Sequence, residues 1–576
     1  MSLAVRKARR SWRGYALGAL VGSGLLAGPA LAADAGPPAW APFLQQFIED
    51  TFAAHPEFAA VQGRHEFDGK LPDWSAAGLA AEVQRLTQAR ARAEAFAEAG
   101  LGAQERFERK YLLARIDGDL FWLRDARMPY TNPAYYTGSL DPSVYLTRPY
   151  APLAVRMKAF IGYARSIPRA AGQIRSNLKS PLPRTYVTLA YNSFNGYVGF
   201  FRDDVPKIFA AVPDADLQHQ LRESIAAAAQ AMQDLASWMK AEQAHATDEF
   251  ALGADKYAAM LWMTERVDTP LAELREVARR DLKRNHDALV AACAAYLPGA
   301  GVQACVDKVN ADKPQGGAVD GARAQLAGLR QFIKDKDLVS IPGEEQALVA
   351  EAPPYQRWNF AYIDIAGPYD KGMPSVYNIA PPDPTWPLAD QLAYTPGKSV
   401  LLFTSAHEVW PGHFLQFLHA NRSPSLFGQI FVGYAFAEGW AHYGEEMMWD
   451  AGLGAGAPDV HIGQLVEALL RDVRFVCSIG LHTEHMSVAE CETLFREQAH
   501  TDPGSARQQA ARGTFDPAYL NYTIGKLMIR KLREDWTAGH GGRGGWKAFH
   551  DAFLQYGGPP IPLVREQMMG KAGALF

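Results

Sequence analysis

The chain has 576 residues and is 48% hydrophobic, 21% charged and 11% aromatic. That composition belongs to a folded globular protein and excludes wholesale disorder or a collagen-like repeat. A net charge of −4 supplies no electrostatic footprint for nucleic acid, and the length allows a sizeable core.

The first segment reads as a secretory signal peptide. Arg6, Lys7, Arg9, Arg10 and Arg13 precede any acidic residue. An apolar run follows from Tyr15 to about Ala27, then Pro29 and Ala30-Leu31-Ala32. A positive head, a short apolar middle and a small-x-small exit are the three parts of such a signal. The run is too short and too glycine-rich for a membrane span. Cleavage near Ala32 predicts a periplasmic or secreted chain with no stable membrane insertion; an uncleaved anchor is the other reading. An oxidising compartment permits disulfides among Cys293, Cys305, Cys477 and Cys491. Cys293–Cys305, around a Pro298–Gly301 turn, and Cys477–Cys491 are the candidate pairs, although four cysteines allow three connectivities.

The first half reads as helices. Apolar residues at helical spacing predict them over 75–98, 104–127, 152–178, 214–246 and 269–296. The last opens with Thr269 as cap, Pro270 at the first helical position and Glu273 in the first turn. Residues 128–151, rich in Tyr, Pro and Asn, read as ordered loop, and 297–322 as turns. The β signal lies in 338–400, with short strands predicted over 347–352, 357–365 and 372–379. Helix resumes over 398–450, continues to about 498, and returns over 516–536. No repeat or long linker interrupts the chain. The reading is mainly α: a large helical body in two lobes around a cleft, with a small β element.

The chemistry concentrates in Ser405-Ala406-His407-Glu408-Val409-Trp410-Pro411-Gly412-His413. In the zinc-peptidase pattern His-Glu-x-x-His, the two histidines sit four apart and share one helix face, with the Glu as general base. Here His407 and His413 are six apart. At about 100° per residue a regular helix would point them away from each other. Pro411 lacks the N–H that would bond the residue 407 carbonyl, and Gly412 permits dihedrals that other residues avoid. A bulge that loops out two residues would return His413 to the face of His407. Without such a bulge, His407 is a core histidine and Glu408 a surface carboxylate.

A second polar cluster, Phe436-Ala437-Glu438-Gly439-Trp440-Ala441-His442-Tyr443-Gly444-Glu445-Glu446, follows within reach of a second helix. A catalytic zinc takes three protein ligands and a water, and His-His-Glu is a standard set. His442 and Glu445 lie on the Glu438 face at i+4 and i+7, where they can orient the ligands.

Together, His-Glu-x-x-Pro-Gly-His and Glu-Gly-Trp-Ala-x-Tyr-x-Glu resemble the bacterial family catalogued as domain of unknown function 885. That family resembles gluzincin metallopeptidases of the angiotensin-converting-enzyme and oligopeptidase group, with two residues inserted before Gly-His. Ser176-Asn177-Leu178-Lys179 with Pro181 and Pro183, and Leu252-Gly253 with Tyr257, extend the likeness into the first half. The resemblance implies zincin-like active-site helices and one zinc per chain held by His407, His413 and Glu438. Glu408 would activate water. Arg474 through His482 and Tyr522 through Arg533 resemble two later stretches of the family, with departures at Ser478, His485 and Met486 that bear on substrate preference. They nominate His482 and Tyr522 as oxyanion donors, and Arg474, Lys526 and Arg530 as binders of a peptide carboxylate. The implied function is a secreted zinc peptidase for short peptides, carboxypeptidase- or dipeptidase-like, with no nucleic-acid partner. Its regions would be a signal (1–32), an N-terminal helical region (33–337) and a catalytic region (338–576), the last two forming one unit.

Two other readings compete. Glu242-x-x-His245 and Glu497-x-x-His500 match half of a di-iron bundle site, but both sit at predicted helix ends. A metal-free periplasmic binding module is the third reading, favoured by the irregular His–His spacing.

Overall fold

The computed structural model describes residues 39–576, so the signal segment lies outside the described residues. Helices dominate. Among the first-half helices are α1 (Leu153–Asn177), α2 (Arg184–Gly199), α3 (Ala215–Glu242) and α4 (Leu271–Tyr296). Three of these follow the predicted ranges closely because their apolar stripes are strong. The α2 range carried no prediction; its many aromatic and β-branched residues obscure the helical period. Residues 302–311 and 317–335, expected in part as turns, are helical; Cys305, Val306, Val309, Ala322, Leu329 and Ile333 are buried and give the two helices their apolar stripes. The expected loop 128–151 contains three helical turns of four or five residues.

The sheet has three strands, β1 (Ala347–Glu351), β2 (Ala361–Asp364) and β3 (Ser375–Ile379). Its order is β1-β3-β2, with β1 parallel and β2 antiparallel to β3. Ile363 stands opposite Tyr377, and every β3 residue is buried. The β2 prediction was too long at its start, because residues 357–360 form a turn and bend between the 354–356 helical turn and the strand.

The second half carries α5 (Lys398–Glu408), α6 (His413–Ala420), α7 (Tyr434–Asp450), α8 (Pro458–Thr483), α9 (Pro503–Phe515) and α10 (Asn521–Ala538). The single helical stretch expected over 398–450 is therefore broken, first at Val409–Gly412. One apolar cluster gathers the first-half helices and takes in Phe427, Ile430 and Phe431 from the second half. A second surrounds the sheet and α7. A third holds the four cysteines with Tyr519 and Tyr522. Cys293–Cys305 and Cys477–Cys491 are bridged, with Cα atoms 5.7 and 5.6 Å apart.

Candidate metal centre

The centre is assembled by a break in one helix and a close crossing of two others. α5 stops at Glu408, and Val409 leaves helical geometry (φ −122°, ψ −71°). The Gly412 N–H then donates to the Ala406 carbonyl, six residues back rather than four, at 2.9 Å. Leu415 N–H does the same to Val409, at 3.3 Å. Two residues are thus looped out and α6 restarts at His413 in a new phase. A Cβ on Gly412 would collide with the His407 carbonyl, so only glycine fits this return. The Trp440 indole on α7 donates to the Pro411 carbonyl at 2.8 Å and pins the loop.

α7 approaches α10 through two glycines. A Cβ on Gly439 would run into the Gly525 backbone, and one on Gly525 into the Ala435 carbonyl. That crossing sets Glu438, next to Gly439, beside Tyr522 near the start of α10.

The structure brings His407, His413 and Glu438 together, with one ligand atom from each inside a 4.8 Å span. Among the described residues this is the one such convergence of His, Cys, Asp or Glu groups. Both histidines point Nε2 at Glu438 Oε2, each at 3.2 Å. Two donors about 2.0–2.1 Å from a tetrahedral ion stand about 3.3 Å apart, so the two His–Glu separations suit zinc. His407 Nδ1 lies 2.6 Å from Glu445 Oε1. A carboxylate only accepts, so Nδ1 donates to Glu445 and Nε2 is the ring nitrogen left to face Glu438 and any ion beside it. Glu445 in turn faces Arg471 at 3.5 Å and His442 at 3.4 Å. Burial opposes charge on Glu445, but Arg471 and His442 hold its carboxyl well below the usual range. Burial likewise opposes charge on Glu438, and His413 with His407 overcomes it. Burial pushes His442 down to about 4, so it stays neutral.

Glu408 differs from both other glutamates. Its Oε2 is buried with no hydrogen-bond partner, and burial pushes its carboxyl up to about 7. It lines a cavity of about 590 Å³ together with His407, His413, Glu438, Arg474 and Tyr522. The Tyr522 ring stacks 5.9 Å from His407, and its hydroxyl accepts from Arg512 Nη2 at 3.2 Å.

Three nominated residues stand elsewhere. His482 is a correction: its Nε2 donates to the Gly513 carbonyl at 2.8 Å and its Nδ1 accepts from Leu252 N–H at 3.4 Å. Both ring nitrogens are spent on backbone, and burial holds the ring neutral, its pKa near 4. Lys526 is fully buried on Asp281 at 2.6 Å, with Glu446 at 3.6 Å. Arg530 pairs with the same Glu446 at 3.1 Å. Both tie α10 to its neighbours and neither lines the cavity. The two Glu-x-x-His motifs are also apart: Glu242 accepts from Ser180 and Trp238, whereas His500 faces Gln303. Arg471, Arg512 and Gln509, which do line the cavity, were missed. Arg471 sits one turn before Arg474, a spacing that offered a signal; Arg512 lies in α9, for which no helix was predicted.

The comparisons agree with this fold. A protein described as a candidate lipoprotein of unknown function from Shewanella oneidensis superposes with a TM-score of 0.73 at 22% identity, over 92% of this chain and 100% of that one. A second candidate lipoprotein, from Colwellia psychrerythraea, gives 0.78 at 16% identity, over 92% and 98%. No curated protein matches the chain. The model of a bacterial protein family of unknown function, DUF885, matches residues 56–568, and the chain belongs to that family.

Proposed function

We propose that this chain is an exported, zinc-dependent peptidase that hydrolyses short peptides. One observation carries the reading: three ligand atoms converge at the wall of a cavity, beside a buried carboxylate that has no other partner. His407, His413 and Glu438 would hold the ion, on helices of zincin type. Zinc bound there would polarise a substrate carbonyl and lower the pKa of water toward about 7. Glu408, buried and without a hydrogen-bond partner, takes the proton of the attacking water and returns it to the leaving amine. The Tyr522 hydroxyl, held by Arg512, is placed to donate to the carbonyl oxygen as charge develops. Residues 1–32 would be the cleaved signal. Two disulfides suit an oxidising compartment, and no helix of the described residues is long and apolar enough to cross a membrane.

Metal analysis of the purified protein tests the reading, beside Glu438→Ala and His413→Ala. One zinc per chain, lost in both variants, with peptide cleavage abolished by Glu408→Gln, is the expected result. No zinc after reconstitution would sink it and leave the metal-free binding module.

A further inference from the structure

The wall of the cavity that Glu408 lines also carries an unneutralised guanidinium. Arg474, on α8, is 3% exposed and lines the cavity. Its Nε donates to Gln509 Oε1 at 2.8 Å, and among the described residues its two Nη groups make no hydrogen bond. Among the described residues it forms no ion pair. Its neighbours do: Arg471 faces Glu467 and Glu445, and Arg512 bonds Asp516 at 3.0 Å. Arg512 nonetheless leaves Nη1 without a partner. Burial and the two nearby guanidinium groups depress Arg474, to about 10, the direction expected of a cation lacking its counter-ion. A buried charge without a partner is unfavourable, the condition left when one half of a buried ion pair is removed. An arginine fork matches a carboxylate bidentately.

From this geometry we infer that Arg474, flanked by Arg512 and Gln509, binds the free α-carboxylate of a peptide, so that the substrate class is peptides cut near their C-terminus. This rests on the peptidase reading for the cut, though not for the binding. The position limits the length removed. The Arg474 guanidinium lies 4.5 Å from the Tyr522 ring, and that ring lies 5.9 Å from His407. Those two contacts in series reach no farther than about three extended residues. The scissile bond therefore falls within the last three residues, and the products are a shortened peptide and a small C-terminal fragment.

The test is one peptide library made twice, with free carboxylates and with C-terminal amides. Equilibrium dialysis reads binding, and mass spectrometry reads cleavage, for the wild type, Arg474→Gln and Arg474→Lys. Zinc content and thermal melting establish that each variant is folded. The expected result is binding of acids over amides by roughly tenfold or more in the wild type. Arg474→Gln abolishes that preference by weakening acid binding alone, and Arg474→Lys restores part of it. Acids bound selectively through Arg474 but never cleaved would uphold the inference and defeat the peptidase reading. Acids and amides cut equally would do the reverse. Binding of neither library overturns both.

Discussion

His407 Nδ1 stands 2.6 Å from the carboxylate of Glu445, a residue with no exposed surface. This contact fixes which ring nitrogen faces Glu438 and His413. Outer partners of this kind typically change metal affinity about 10–100-fold when removed. Glu445→Gln keeps the volume and removes the charge. It should weaken the proposed zinc binding by about that factor, measured by chelator competition, while the far-ultraviolet circular dichroism stays unchanged. An unaltered affinity would mean that His407 is oriented without Glu445.

The α7–α10 crossing makes a second, independent prediction. A Cβ at Gly439 meets the Gly525 backbone, which cannot rotate away, whereas one at Gly444 meets the edge of the Pro411 ring at 3.0 Å. Overpacking costs typically about 1–3 kcal/mol, and a backbone obstacle belongs at the upper end. Gly439→Ala should therefore lose about 3 kcal/mol in urea unfolding and release zinc, because Glu438 moves with the helix. Gly444→Ala should lose about 1 kcal/mol and retain metal.

How much of this was legible in the sequence differs by element. The long amphipathic helices α1, α3 and α4 were, because burial of one stripe imposes the period on the residues themselves. The break at Pro411-Gly412 was also legible, since one residue lacks a donor and the next lacks a side chain. Its register was legible too, in that two looped-out residues give the six-residue His407–His413 spacing. The Glu445 contact followed from i+7 spacing on one helix face. His482 was not readable correctly: its ring bonds Leu252 and Gly513, far away in the chain, and no local pattern reports such partners. Lys526 and Arg530 failed for the same reason, as their carboxylates belong to α4 and α7. α9 escaped because its face is small and polar, with Gly504, Ala506, Gln509 and Ala510 buried in place of large apolar groups.

The disulfides close short loops, with sequence separations of 12 and 14. Chain-entropy arguments give about 3 kcal/mol for a loop of about 15 residues. Cys293→Ser with Cys305→Ser should lower unfolding stability by about that amount while leaving the proposed zinc binding intact, since neither cysteine lines the cavity. The Cys477→Ser, Cys491→Ser variant should also loosen the end of α8, detected as faster amide exchange around His482.

The last prediction concerns pH and a junction away from the candidate metal centre. His65 bonds Asp68 at 3.1 Å and Asp370 at 3.0 Å, while Arg148 holds Asp370 at 3.1 Å and Asp364 at 2.7 Å. Burial works to lower the His65 pKa, but the two carboxylates prevail and raise it from 6.5 to about 9. A folded pKa above the unfolded one means that the protonated ring stabilises the fold. That contribution is complete below about pH 6.5 and disappears as pH rises through about 9. At about 1.4 kcal/mol per pH unit the shift corresponds to about 3 kcal/mol, and partial solvent contact of the ring reduces this to about 1–2 kcal/mol. His65→Gln should therefore be less stable than the wild type near pH 6 and approach it near pH 10. Urea unfolding at both pH values measures the gap. A gap that stays constant would show that the ring is held by its 3.5 Å stack on Tyr150 and not by its charge.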